Sequence, residues 1–264
     1  MDQCLGSTPR VFRLSAAWVW FNTRALQSMP RPMRSMIPRA TTIHGILRRR
    51  FQAAAAIGAY APALTLHGKH MKRIIVAVTG ASGVLYGIRA LELLRQCADV
   101  ETHLILSPAA IRTIRAETAY AAADVEALAD VRHAHKDIGA SIASGSFQVD
   151  GMLVAPCSVK TLSGIANCFS DDLVTRAADV QLKERRRVVL LFRETPLHAG
   201  HIDLMARATA SGAILMPPVP AFYSGITTLD EAATQTVGRA LDLLGIDVGV
   251  VRRWQGQAEP DGTS

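Results

Sequence analysis

The cysteines of this 264-residue chain form no C-x-x-C pair. There are four of them, Cys4, Cys97, Cys157 and Cys168, and their spacing suits neither a structural zinc site nor the disulfide framework of a small domain. We therefore expect a protein of a reducing compartment. The sequence also lacks internal repeats and low-complexity segments. With 49% hydrophobic and 19% charged residues, its composition is that of a globular protein and excludes fibrous and disordered classes.

Acidic residues are almost missing from positions 1–70, which carry ten Lys and Arg against the single acid Asp2. The remainder has 19 basic and 21 acidic residues, so the formal net charge of +7 arises in this leader and gives no reason to expect nucleic acid as a partner. No apolar stretch of the leader reaches bilayer length, which argues against a membrane span. Two interpretations stay open: a disordered extension or spurious start ahead of a cytoplasmic protein, or a mitochondrial transit peptide. We expect one domain over 71–255 and a flexible tail over 256–264.

From Met71 onward, short β-branched apolar runs alternate with amphipathic segments. Five such runs predict strands: RIIVAVT, VETHLILS, DGMLVAPC, RVVLLFRE and AILMPP. Strands separated by helices indicate a doubly wound α/β domain with a mostly parallel sheet, which is a Rossmann-like, three-layer αβα architecture. Ligands of such sheets bind at the carboxyl ends of the strands, so the residues directly after each run are the candidates for function.

The first turn lacks the dinucleotide fingerprint. Ser82 and Leu85 stand where G-x-G-x-x-G requires glycine, and the second strand ends in Ser107 instead of an acidic residue. No tyrosine has a lysine four residues on, which argues against a short-chain dehydrogenase. Gly80 and Gly83 nevertheless allow a sharp bend at a helix N-terminus, where amides bind anions. A mononucleotide therefore fits better than a dinucleotide.

The third loop, PCSVKTLSGIAN, carries three hydroxyl groups in the opening turns of a helix. Ser158, Thr161 and Ser163 either cap that helix or bind a ribityl chain and phosphate. Cys157 has no histidine nearby in sequence, so we expect a small buried hydrophobic residue and not a nucleophile.

No motif for a metal is present. The pair Asp171-Asp172 stands alone at a predicted helix start and is not part of a D-D-x-x-D sequence. His198 and His201 form H-x-x-H without a carboxylate or cysteine at ligand spacing, which favours a structural or capping role. We expect a site that works without metal.

Five segments together resemble the UbiX family of flavin prenyltransferases, in order, over about residues 71–255. They are VTGASGVLYGIRALELL, APCSVKTLSGIA, TRAADVQLKERR, LLFRETPLHAGHIDLM and GAILMPPVPAFY. The resemblance implies a homo-oligomer, expected to be a dodecamer, that binds reduced FMN. It also implies transfer of a dimethylallyl group from dimethylallyl phosphate to flavin N5 and C6, and a UbiD-type decarboxylase, for example in ubiquinone biosynthesis, as the recipient of the prenylated FMN.

The resemblance also implies roles for individual residues. The implied FMN contacts are Gly80, Ala81, Ser82, Ser107, Ser158, Val159, Lys160, Thr161, Arg193 and, across a subunit interface, Arg176. The implied contacts of the prenyl phosphate are Lys183, Arg193, Tyr223 and Arg239, and the implied catalytic groups are Ser82, Glu117 and Glu194. One departure is Pro108, where family members often have lysine; proline at a first helical position is harmless to the fold.

Two other functions stay open. An FMN-dependent decarboxylase of the flavin-cysteine group would need an active-site histidine, for which His133 and His135 in a connecting segment are the only candidates. A non-catalytic flavin carrier would need the FMN loops without the implied set of cations and carboxylates.

Overall fold

Every strand of the sheet is parallel to its neighbours. A computed structural model describes residues 71–256. Within them, six strands pair in the order β3-β2-β1-β4-β5-β6. They are β1 Lys72–Val78, β2 Val100–Leu106, β3 Val131–His133, β4 Gly151–Cys157, β5 Arg187–Phe192 and β6 Ile214–Leu215. The prediction of a doubly wound, mostly parallel sheet is confirmed.

Seven α-helices cover the sheet over the same residues. They are α1 Leu85–Leu94, α2 Pro108–Glu117, α3 Ala122–Glu126, α4 Val159–Ala166, α5 Leu173–Lys183, α6 Ala199–Ala210 and α7 Leu229–Leu243. Alternate side chains of each strand face opposite layers because successive residues of a strand point to opposite sides. Thus Ile74 and Val76 pack with α1 and α7, whereas Ile75 and Ala77 pack with α4 and α5. None of these helices is long and apolar enough to cross a membrane.

The sequence analysis missed one strand, so the prediction of five strands was wrong. β3 has three residues, lies at the sheet edge and includes the exposed Arg132 and the half-buried His133. A polar run of this length carries no apolar periodicity, which is why we assigned it to a connecting segment. The predictions for residues 1–70, and for the tail beyond residue 256, lie outside the described residues.

Candidate flavin site

The carboxyl ends of β1 and β4 define the candidate site. These strands are neighbours at the centre of the sheet, and the chain leaves β1 toward β2 on one side and β4 toward β5 on the other. Such a topological switch point opens a crevice between two diverging loops. The loops are the first turn, residues 79–84, and the segment 158–161 at the start of α4.

The first turn offers backbone donors to a ligand. Among residues 71–256, nothing accepts a hydrogen bond from the amides of Gly80, Ala81 or Ser82. Gly83 has a φ of 97°, a left-handed conformation that glycine adopts without strain. The hydroxyl of the exposed Ser82 also has no partner within the described part of the chain. Three amides and a hydroxyl beside a helix N-terminus suit an anionic or hydroxyl-bearing ligand.

Glu117 shares this turn. It is the last residue of α2, and its carboxylate accepts hydrogen bonds from the amides of Gly83 (2.8 Å) and Val84 (3.3 Å). The fold therefore brings Glu117 and Ser82 to one turn, although 35 positions separate them. Because the Glu117 carboxylate accepts from the amides of residues 83 and 84, only the amides of residues 80–82 remain for a phosphate. Repulsion between the carboxylate and a phosphate disfavours a phosphate closer to residue 84.

The serines predicted to contact FMN are also helix caps. Ser107 is buried at the N-cap of α2, where its hydroxyl accepts from the Ala110 amide at 3.0 Å. Ser158 is the N-cap of α4; its hydroxyl lies 3.1 Å from that of Thr161 and accepts from the Thr161 amide at 3.4 Å. Capping is therefore one role of each serine. Val159, half-buried, packs against the core beneath α4.

The ammonium of Lys160 lies against acidic residues at the start of α5. It contacts Asp171 at 3.1 Å and makes a short hydrogen bond to Asp172, which is only 2% exposed and caps α5 through the Thr175 amide at 2.9 Å. Burial raises the pKa of Asp172, but the hydrogen bonds from Lys160 and Thr175 outweigh it and hold that pKa below its ordinary value. Burial lowers the pKa of Lys160, and its two carboxylate partners reverse the effect and raise it. The helix start predicted at Asp172 is confirmed, but its bond to Lys160 was missed.

Arg193 and Glu194 follow β5 at the same edge of the sheet. Both are exposed, and neither makes an ion pair with another described residue. The Arg193 amide donates to the Cys157 carbonyl at 3.1 Å, which ties this loop to the end of β4. Burial raises the pKa of the Tyr86 phenol on α1, and the charge of Arg193 offsets part of that rise. Tyr86 is therefore within electrostatic range of Arg193, a proximity that the sequence analysis missed.

Tyr223 lies on the loop after β6, in a short 3-10 helix. Its ring packs edge-on against Trp254, with 5.6 Å between the ring centroids and 72° between the planes. The guanidinium of Arg252 donates to the Ser224 carbonyl at 2.6 Å. The sequence analysis did not consider Trp254, and its distance of 31 positions from Tyr223 left no local signal.

Two predicted phosphate contacts lie at the opposite edge of the sheet. Lys183 ends α5, pairs with Glu184 and stands four residues before β5 begins. Arg239 pairs with Asp242 near the end of α7, whose Leu243 carbonyl accepts from Arg187, the first residue of β5. One subunit therefore does not bring either residue to Arg193. Arg176, on α5, pairs with Asp179 at 3.1 Å.

The histidines of residues 71–256 make local contacts. His198 caps α6, accepting from the Gly200 amide at 3.1 Å, and its ring stacks on His201, which confirms the capping prediction. His133 lies 2.9 Å from His103, which in turn contacts Glu101 at 2.9 Å. Within residues 71–256, no group of three or more His, Cys, Asp or Glu side chains is arranged to hold a metal ion. Cys157 is fully buried, as expected, and burial raises the pKa of its thiol.

The parallel sheet, the donor-rich first turn and the hydroxyl-bearing third loop define a flavoprotein, and a family model described as Flavoprotein matches residues 63–226. The flavin prenyltransferase UbiX of Escherichia coli K12 is 55% identical over 188 residues, which are all of that protein and 70% of this chain. The protein of the same name from Thauera aromatica is 54% identical over 187 residues, covering 96% of that protein and 71% of this chain.

Solved structures agree. The crystal structure of AnUbiX (PadA1), in complex with FMN and dimethylallyl pyrophosphate, has a TM-score of 0.70 and 49% identity, over 72% of this chain and 100% of that one. A dodecameric FMN-dependent UbiX-like decarboxylase from Escherichia coli O157:H7 has a TM-score of 0.68 and 48% identity, over 70% of this chain and 100% of that one. This chain therefore belongs to the UbiX family of flavin prenyltransferases.

Proposed function

We propose that this protein transfers a dimethylallyl group from dimethylallyl phosphate to N5 and C6 of reduced FMN, and that the prenylated FMN serves a UbiD-type decarboxylase. The observation that carries the proposal is the 55% identity to a flavin prenyltransferase along that protein's entire length. The decarboxylase and carrier alternatives are not favoured, because the curated relatives from Escherichia coli and Thauera aromatica are named as prenyltransferases.

The residues at the carboxyl edge fit FMN. The amides of Gly80, Ala81 and Ser82 and the hydroxyls of the third loop are donors for a phosphate and a ribityl chain. Among the implied contacts, Ser107, Val159, Lys160 and Thr161 would line the same crevice. Reduced FMN, once bound, supplies the nucleophilic N5 and C6 atoms.

The chain's own groups would handle charge and protons. Arg193, exposed and without an ion-pair partner among the described residues, would stabilise the negative charge that grows on the departing phosphate. Glu194, the next residue, would give that phosphate a proton. Glu117 would accept the proton lost from C6; its position on the first turn puts it beside Ser82.

We infer that neighbouring subunits complete the site. Lys183 and Arg239 lie at the amino edge of the sheet, so only another copy of the chain would bring them, with Tyr223 and Arg176, to the phosphate. Large apolar side chains on the surface support an interface, since Phe222 is 89% and Leu229 is 86% exposed. By likeness to the dodecameric relative we propose a dodecamer. We propose that residues 71–255 form the catalytic domain. We also propose that the protein acts in the cytoplasm, because the curated relatives from Escherichia coli and Thauera aromatica are bacterial proteins.

Mass spectrometry of the released flavin tests the reaction. The full chain is incubated anaerobically with reduced FMN and dimethylallyl phosphate, and in parallel with the diphosphate, which identifies the donor. We expect a gain of one C5H8 unit that is lost in Glu194→Gln and kept in the control Glu126→Gln, whose carboxylate pairs with Arg132 on the edge strand β3. FMN that binds fully but stays unmodified with both donors would refute the proposal.

A further inference from the structure

Thr79 joins the two loops of the flavin site through one hydroxyl group. It follows β1 directly, and only 1% of its surface is exposed. Its hydroxyl donates to the Pro156 carbonyl at 2.7 Å and accepts from the Ser158 amide at 2.9 Å. The hydroxyl therefore donates its one proton and accepts through one lone pair, and each bond crosses from the end of β1 to the end of β4.

The backbone adds only one long hydrogen bond to this connection. Regular pairing of β1 with β4 runs from Ile74 opposite Gly151 to Ala77 opposite Val154. Beyond that point β4 is irregular, with a register shift between Val154 and Cys157 relative to β5, and Pro156 has no amide proton to donate. The Thr79 amide reaches the Pro156 carbonyl only at 3.3 Å. The threonine hydroxyl thus extends the pairing of the two strands past the last regular pair.

The two bonded positions are next to the ligand donors. Thr79 precedes Gly80, the first residue of the first turn, and Ser158 is the N-cap of α4 and the first residue of the third loop. Without the threonine oxygen, the Ser158 amide loses its acceptor and the spacing between the loops is set only by weaker contacts. A ligand that bridges both loops binds most tightly when its donors are already held at the right spacing.

We propose that Thr79 is a positioning residue for FMN, whose hydroxyl fixes the first turn, residues 80–82, relative to residues 158–161. This rests on the proposed function insofar as both loops contact FMN. Thr79 itself is only 1% exposed, and its one hydroxyl proton is already donated to the Pro156 carbonyl. Its effect is on the geometry of the donors.

Variants of the full chain separate this role from a general effect on stability. Thr79→Ser keeps the hydroxyl, and Thr79→Ala removes it. Thr102→Ala is the control: Thr102 is also 1% exposed in the same sheet, and its hydroxyl likewise donates to a carboxylate oxygen of Asp130 (2.8 Å) and accepts from the Asp130 amide (3.0 Å). For each protein, the Kd of FMN is measured by quenching of flavin fluorescence, the midpoint of urea unfolding is recorded, and hydrogen exchange is followed in the peptide spanning 155–161.

We expect Thr79→Ala to raise the Kd of FMN about tenfold and to speed exchange in that peptide even without FMN, whereas Thr79→Ser stays within about twofold of the parent. Thr102→Ala should lower the unfolding midpoint but change the Kd by less than about twofold. If Thr79→Ala does not fold, Thr79→Val, which keeps the volume, replaces it in the comparison with serine.

The proposal is overturned if the variant without the hydroxyl binds FMN as tightly as Thr79→Ser, or if Thr102→Ala weakens FMN binding as much as Thr79→Ala does. The outcome is independent of prenyl transfer, because binding and exchange are measured without the donor. If the parent protein leaves the flavin unmodified but the Kd values of the variants relative to the parent are as expected, the proposed function is refuted and the role of Thr79 stands.

Discussion

The substitution Gly80→Ala should disrupt the first turn through a clash with one methyl group. A Cβ at Gly80 would lie 2.2 Å from the Cβ of Ala109 and 3.3 Å from its Cα. Because non-bonded carbons prefer about 3.5–4.0 Å, the turn or the start of α2 must move by more than about 1 Å. Gly80 does not have a positive φ, so backbone strain adds nothing. Overpacking of this kind costs about 1–3 kcal/mol, and we expect FMN binding to weaken with it.

The double mutant Gly80→Ala/Ala109→Gly tests this reasoning. Ala109→Gly alone should cost about 1 kcal/mol or less, since it places glycine in the first turn of α2. Combined with Gly80→Ala it removes the clashing methyl, so the pair should be more stable than the sum of the single changes by about 1–2 kcal/mol. Gly139→Ala, whose new Cβ would have Asp137 as nearest neighbour at 3.4 Å, is a control expected to be near neutral.

The assay is urea unfolding at one fixed subunit concentration, because the stability of an oligomer depends on it, with the Kd of FMN measured in parallel. Additive effects of the two substitutions would refute the steric argument and would mean that Gly80 is required for another reason, such as approach of the ligand to its backbone.

Three further outcomes follow from the site. Asp172→Asn removes a carboxylate whose pKa is lowered in the folded protein. Such a carboxylate stabilises the fold at pH values above its unfolded pKa of about 4. That stabilisation is lost as the pH falls toward the folded pKa. The free energy of unfolding, measured from about pH 6 down to about pH 3, should then fall less steeply in the variant than in the parent; parallel curves would contradict this. In the folded protein, iodoacetamide should label the exposed Cys168 and leave the buried Cys157 unmodified, and peptide mapping that finds both labelled would mean that the end of β4 opens. Oligomers reassembled from inactive Lys183→Ala and Arg193→Ala subunits should regain prenyl transfer, because intact copies of both residues then meet between subunits; no recovery would place the two in one chain's site.

The sequence predicted what depends on local pattern. The apolar runs gave five of the six strands, and the hydroxyl and carboxylate side chains at Ser107, Ser158 and Asp172 lie at helix starts, where they cap α2, α4 and α5. Each of these features is set within a few residues, so a single sequence suffices to predict it. The edge strand β3 escaped because pairing with β2, and not an apolar pattern, makes it a strand.

Contacts made by the tertiary fold were not predictable in the same way. The carboxylate of Glu117 reaches the first turn only because α2 returns beside it, and the choice of Asp172 as partner of Lys160 depends on how α4 and α5 pack. The resemblance to a family identified Glu117 and Lys160 as site residues, but it gave no partner for either.

The opposite placement of Lys183 was present in the sequence but overlooked. A helix that leaves the carboxyl edge and ends just before the next parallel strand must finish at the amino edge, and α5, with 11 residues, is about 16 Å long. Arg239 stands four residues before the end of α7, and that end lies beside Arg187, the first residue of β5. Lys183 and Arg239 are at the other edge of the sheet from Arg193 of their own subunit. A phosphate site that contains all three cations therefore requires more than one subunit. A mutation that only separates the subunits should therefore abolish prenyl transfer while leaving the donors of the first turn in place.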